Sequence, residues 1–236
     1  MIMFLKKYSV CFIPVFLSFA LVFTYLFAPD FYLQYILSGL NREAQAVEML
    51  TFTGALLASF VLFKNAYNLY LLKEYRWSVW LLLIIGAATF FFAGEESSWG
   101  QSYFYWKTPE FYDCTSLETN IHNTDIPIQS LGSVFLLLYF VALPFLWWKK
   151  IHFPDRISIE LAIPESQIVL CMLYAFGWKL IKNYYRTLYS REYIKSSSLY
   201  INFIDQINEQ KEFLVVVAIL IYAFHVDLKV LKRLSK

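Results

Sequence analysis

Of 236 residues, 59% are hydrophobic, 20% aromatic and only 16% charged, which is far from the usage of a soluble domain. The net charge of +2 carries no message by itself, and the basic residues are spread along the chain, so nucleic-acid binding has no support. Phosphate-cradling glycine loops and a Gly-x-Ser-x-Gly elbow are also missing, which leaves an all-α reading: a polytopic integral membrane helical bundle in a single domain, 1–236.

Lys6 and Lys7 precede an apolar run over 8–27, long enough at roughly 20 residues to cross a bilayer. It ends Leu26-Phe27-Ala28-Pro29-Asp30, without the small-x-small cleavage site of a signal peptide, and reads as an uncleaved anchor. Phe31 to Leu40 is too short to cross and reads as an interfacial turn of helix. The second span is 44–63, with Glu48 a little more than one turn inside it. Lys64 to Arg76 follows as a basic connector, and 77–94 makes the third span, leading straight into Glu95 and Glu96.

A polar segment, 95–130, then separates the third span from the fourth, 131–148, where Pro144 is expected to bend the helix and Trp147-Trp148-Lys149-Lys150 to mark an interface. The fifth span, 168–185, is interrupted by Gly177 and Lys179, so it must borrow Tyr184 and Tyr185 or snorkel Lys179 outward. Tyr184 to Ile207 reads as a polar connector, and 213–228 closes a set of about six transmembrane helices. Cys11, Cys114 and Cys171 form neither a disulfide framework nor a metal-type spacing.

Lys and Arg concentrate in cytoplasmic connectors. With the N-terminus inside, Lys6, Lys7, Lys64, Lys73, Arg76, Lys149, Lys150 and the tail from Lys229 to Lys236 all face inward. Lys179 to Lys195 is the misfit. The same topology gathers acids at the outer level: Glu48 opens the second span, Glu95 and Glu96 close the third, Glu118 and His122 precede the fourth, and Glu209 and Glu212 precede the sixth. Acids at a membrane edge are costly unless used.

Each member also has a plain reading. Thr115-Ser116-Leu117-Glu118 matches a capping box; if that helix forms, Glu118 and His122 share a face at i, i+4, a spacing suited to a metal or to a carboxylate orienting an imidazole. Glu95 and Glu96 point about 100° apart on a helix, so only one can face a given centre. Two such carboxylates in a low-dielectric setting favour sharing a proton, which suits general acid–base work. Glu209 and Glu212 could share a face, with helix-dipole complementarity at a helix start as their default reading. His225 reads as a packed interfacial histidine and His152 as an inner-surface residue.

Gly94-Glu95-Glu96-x-Ser98-Trp99-Gly100-Gln101, followed by Glu118-x-Asn120-x-His122-Asn123, resembles the signature of an uncharacterised group of bacterial multi-pass membrane proteins. That resemblance implies a bacterial inner-membrane location and carries no activity with it. The adjacent glutamates also resemble the first motif of CAAX-type membrane proteases, Glu-Glu-x-x-x-Arg, but Gly100 stands in the arginine position and the paired-histidine motifs are missing. Alkaline ceramidase-like membrane hydrolases offer a further comparison, although their His-x-x-x-His is not found here.

The expected function is a membrane-embedded hydrolase, or a related enzyme, acting on a lipid or other membrane-bound substrate. Glu95, Glu96 and His122 are its candidate catalytic residues. Glu48, Glu96, Glu118 and His122 are candidate ligands for a divalent metal ion, and a mostly carboxylate set suits Mn, Mg or Ca better than Zn. The alternative is a cation- or proton-site transporter, or a structural membrane subunit.

Overall fold

The computed structural model describes residues 9–28, 46–73, 75–101, 128–149, 159–188 and 198–235, and these are helical almost throughout. The helices are α1 (Phe12–Phe27, entered through a 3-10 turn, Ser9–Cys11), α2 (Ala46–Leu72), α3 (Arg76–Glu96), α4 (Ile128–Leu137), α5 (Leu143–Trp148), α6 (Ser166–Leu188) and α7 (Ser198–Leu234). Within them, three stretches are long and apolar enough to cross a membrane: Val47–Leu72, Arg76–Glu96 and Glu209–Leu234. The interfacial turn expected over Phe31 to Leu40 lies outside the described residues, as do Glu118, His122, Cys114 and His152.

The central packing is a tight hairpin of α2 and α3 with α7 laid along α2. Lys73, at φ 59°, takes the left-handed conformation that ends α2, and the chain re-enters helix at Arg76. Small residues let the backbones close up: Ala55, Ala58, Ser59 and Ala66 of α2 are all buried, and a Cβ on Gly54 would stand 2.9 Å from Val216 of α7. Around this seam Leu62, Leu69, Leu82, Ile85, Leu214, Ile219 and Val226 fill one continuous core. The outside is apolar as well. Phe12, Phe16, Phe19, Phe23 and Phe27 line one face of α1 with 61–71% of their surface exposed, a contiguous apolar patch larger than isolated surface hydrophobics make.

Polar contacts fix the running directions. Gly54 of α2 lies against Val216 of α7 and, further along both helices, Lys64 Nζ lies 2.9 Å from Asp227 Oδ1, so those two helices are parallel, with Glu48 and Glu209 toward one end and Lys64 and Asp227 toward the other. Glu165, just before α6, meets His225 Nε2 at 2.9 Å and Lys229 Nζ at 3.1 Å near the end of α7, so α6 runs the opposite way. Helix α1 runs with α6: the Cys11 thiol donates to the Gln167 carbonyl at 3.3 Å, and the Ser18 and Tyr174 hydroxyls hydrogen-bond to each other.

Several boundaries differ from the sequence expectations. Lys64 to Leu72 is not a connector but the last third of α2, because Asn65, Ala66 and Leu69 are buried against the bundle and Asn65 Nδ2 reaches the Ala223 carbonyl at 3.5 Å. Helix α6 passes Gly177 and Lys179 unbroken. Helix α7 begins at Ser198 and covers 37 residues, so the latter part of the expected polar connector is helix. Pro144, expected to bend the helix, is accompanied instead by a change of helical register. Its missing N–H and its ring would clash with an α-helical turn, and the chain answers with a π-turn over Leu138–Ala142, in which Leu143 N–H donates to Leu138 O.

The strap before α6 was not anticipated at all. Leu161, Ala162, Ile163 and Pro164 are buried although they are not helical. Non-helical backbone inside such a bundle must be satisfied by protein groups, and here Tyr139 of the π-turn and Tyr222 of α7 both donate to the Ala162 carbonyl, at 2.8 and 2.7 Å. Glu165 anchors its far end. Burial pushes the Glu165 carboxyl up, but the His225 imidazole and the Lys229 ammonium beside it outweigh burial and hold it below the usual carboxylate range.

Candidate functional site

Hairpin α2–α3 and the parallel α7 deliver acids to one end of the bundle. Helix α3 ends at Glu96, and α7 presents Glu209 and Glu212, three apart and therefore on one face. One carboxylate oxygen from each of Glu96, Glu209 and Glu212 lies within 4.8 Å of the other two, and all three residues are half-buried. Glu48, in the first turn of α2, adds a fourth negative charge that Glu96 senses, and Lys211 supplies a positive one. Lys211 Nζ itself pairs with Glu212 Oε1 at 3.0 Å.

The convergence read from topology therefore holds for Glu48, Glu96, Glu209 and Glu212. The dipole reading of Glu209 and Glu212 does not. They lie well inside a helix that starts at Ser198, more than two turns from the free N–H groups where the helix dipole acts. Their i, i+3 spacing was the sequence signal for a shared site. Glu118 and His122 lie outside the described residues.

Of the two adjacent glutamates, Glu96 faces the cluster and Glu95 turns into a different contact. The Trp99 indole N–H donates to Glu95 Oε1 at 2.6 Å, and Glu95 is 4% exposed. The indole ring lies back over the last turn of α3, edge-on to Phe91 at 5.3 Å. Only glycine fits beneath it, since a Cβ on Gly94 would sit 2.6 Å from the ring. Ser98 and Trp99 both take positive φ, 48° and 55°, which costs of order 1–3 kcal/mol for such residues and persists where surrounding contacts fix it. The sequence block from Gly94 to Gly100 is thus a hook: glycine as floor, Glu95 as catch, Trp99 as latch.

Chemically, oxygens on opposite sides of one ion at roughly 2.3–2.6 Å are about 4.6–5.2 Å apart, which spans the largest separation in this cluster. The set consists of hard carboxylate donors. It suits an oxygen-preferring divalent ion, while protons shared among the carboxylates would relieve the same repulsion. Compared with known proteins, the chain matches no family model, no curated sequence and no solved structure.

Proposed function

We propose that this chain is a six-span protein of the bacterial inner membrane, N-terminus cytoplasmic, whose outer-face acid cluster binds a divalent cation and serves a hydrolase acting on a lipid or membrane-bound substrate. The single observation that carries this reading is the meeting of Glu96, Glu209 and Glu212 within 4.8 Å at one end of an apolar bundle. Three carboxylates so placed repel one another by more than the single charge of Lys211, already paired with Glu212, offsets, and a membrane edge makes that arrangement costlier to keep without use.

The alternating directions of α1, α2, α3, α6 and α7 support six crossings. Lys64, Lys229 and Lys232 at the end away from the acids support that end as cytoplasmic. In the proposed chemistry, Glu96, with Glu48, Glu209 and Glu212, would hold the cation, which would supply Lewis-acid character at the site when bound. His122, with Glu118 to orient it, supplies the proton-transferring imidazole. Glu95 belongs to the fastening of the site rather than to the reacting groups.

Purified protein in mixed-lipid vesicles with Mn should release lipid-derived products detectable by mass spectrometry, and Glu96→Gln or His122→Ala should abolish the release while the protein stays inserted. Identical product profiles for the wild type, both variants and empty vesicles would defeat the hydrolase reading.

A further inference from the structure

Glu96 is the last residue of its helix, where a chain end normally frays and side chains lose definition. The segment that follows is nevertheless tied down by four contacts. Ser97 N–H reaches Ala93 O at 3.2 Å, and the Ser97 hydroxyl donates to Gly94 O at 3.1 Å. The Trp99 ring covers Gly94, and its indole N–H is held by Glu95. All of these flank Glu96 in sequence without using its carboxylate, which points instead toward Glu209 and Glu212 on another helix. A pair of left-handed residues, Ser98 and Trp99, is kept in place by the same contacts. A carboxylate buried on one side of a ligand residue and a latch on the other make a device for fixing the direction of that ligand.

We infer that Glu95 and Trp99 are positioning residues: their hydrogen bond fixes the end of α3 so that Glu96 presents its carboxylate to Glu209 and Glu212. The inference rests on the cation-site reading above and deepens it, since it separates two adjacent glutamates that the sequence cannot rank. It makes the acceptor oxygen of residue 95 the requirement, not its charge, because an indole N–H needs only an oxygen of the right reach. It also explains the order of the motif: the ligand lies next to the catch, so a shift in the latch is transmitted through a single peptide unit.

The test is Mn binding to the purified full-length protein in detergent, measured by isothermal titration, across five variants. Trp99→Phe keeps a ring over Gly94 but removes the N–H, and Glu95→Ala removes the acceptor; each should weaken Mn binding by about 10-fold or more, as loss of ligand-orienting partners does at metal sites. Glu95→Gln retains an acceptor oxygen and should bind within about 2-fold of wild type, the rescue that distinguishes positioning from ligation. Glu96→Gln should bind far more weakly than any of these, and Gly94→Ala, which forces the ring away, should behave like Trp99→Phe.

If Glu95→Gln loses as much affinity as Glu95→Ala, Glu95 is a ligand and the inference is overturned. If Trp99→Phe lowers the melting temperature but leaves Mn affinity unchanged, the hook is merely structural and the inference is overturned; this variant decides the matter even where Glu95→Ala does not fold. Should Glu96→Gln bind Mn as the wild type does, the cation-site reading itself has failed, whatever the other variants do.

Discussion

Charge removal at the acid cluster should act with opposite sign depending on whether a cation is supplied. Glu209→Gln deletes two of the repulsions in the set formed with Glu96 and Glu212. At the 4.8 Å limit, two full charges repel by about 3.5 kcal/mol with an effective dielectric of about 20. Water reaches these half-buried groups, Lys211 offsets Glu212, and shared protons relieve more, so about 1–2 kcal/mol is the reasonable net gain. In chelator the variant should therefore melt higher than wild type, by about 2–8 °C for a chain of this size. Addition of Mn or Ca at about 100 times its dissociation constant should then stabilise the wild type by about 2.7 kcal/mol, and the variant much less. Differential scanning fluorimetry in detergent, with chelator and with each ion, reads both signs. If the variant is destabilised in chelator and shifts with the ions as the wild type does, the three carboxylates neither repel nor bind a common ion, and the reasoning collapses.

Glu165 gives a pH prediction with a definite sign. Its folded pKa is depressed, so its stabilisation is complete above the ordinary carboxylate range and is lost as pH falls through the folded value; Glu165→Gln should flatten the acid limb of the melting curve without altering the neutral plateau's shape. The two tyrosines on the Ala162 carbonyl should be non-additive: Tyr139→Phe or Tyr222→Phe alone leaves one donor, whereas the double variant orphans a buried acceptor at an additional cost of about 1–3 kcal/mol, seen as a disproportionate drop in melting temperature. A cysteine placed at Thr108 should react with an impermeant thiol reagent added from outside intact cells, and labelling only after the inner face is opened would reverse the orientation.

What the sequence made legible follows from the kind of force involved. Apolar length is a local property, so the described parts of the expected spans are helical, three stretches among them long and apolar enough to cross a membrane, and Glu96, Glu209 and Glu212 meet at one end of the bundle. Helix ends were less legible because tertiary contacts decide them. Lys64 looked like the start of a connector, yet Asp227, from more than 160 residues away, gives it a partner, and Asn65 continues the helix by reaching the Ala223 carbonyl. Glu209 and Glu212 were misassigned to a helix start for the same reason, because the polar residues before them propagate helix into a segment that hydropathy alone reads as connector.

The strap at Leu161–Pro164 shows the limit most sharply. Leu-Ala-Ile-Pro is apolar but too short for a span, and nothing local says that its backbone is buried; the groups that satisfy it, Tyr139 and Tyr222, come from helices on either side in sequence. The hook is the converse case. Every one of its parts, Gly94, Glu95 and Trp99, lies within six residues, so its geometry was in principle local, but the sequence offered two equivalent carboxylates and no rule for choosing. The choice is made by the positive φ values at Ser98 and Trp99, which swing the indole back onto the preceding turn and engage the glutamate four residues before it. Glu96, left outside that contact, is the one free to turn toward α7, and this division of labour between neighbours is what a site built on a helix end requires when its ligands must hold still.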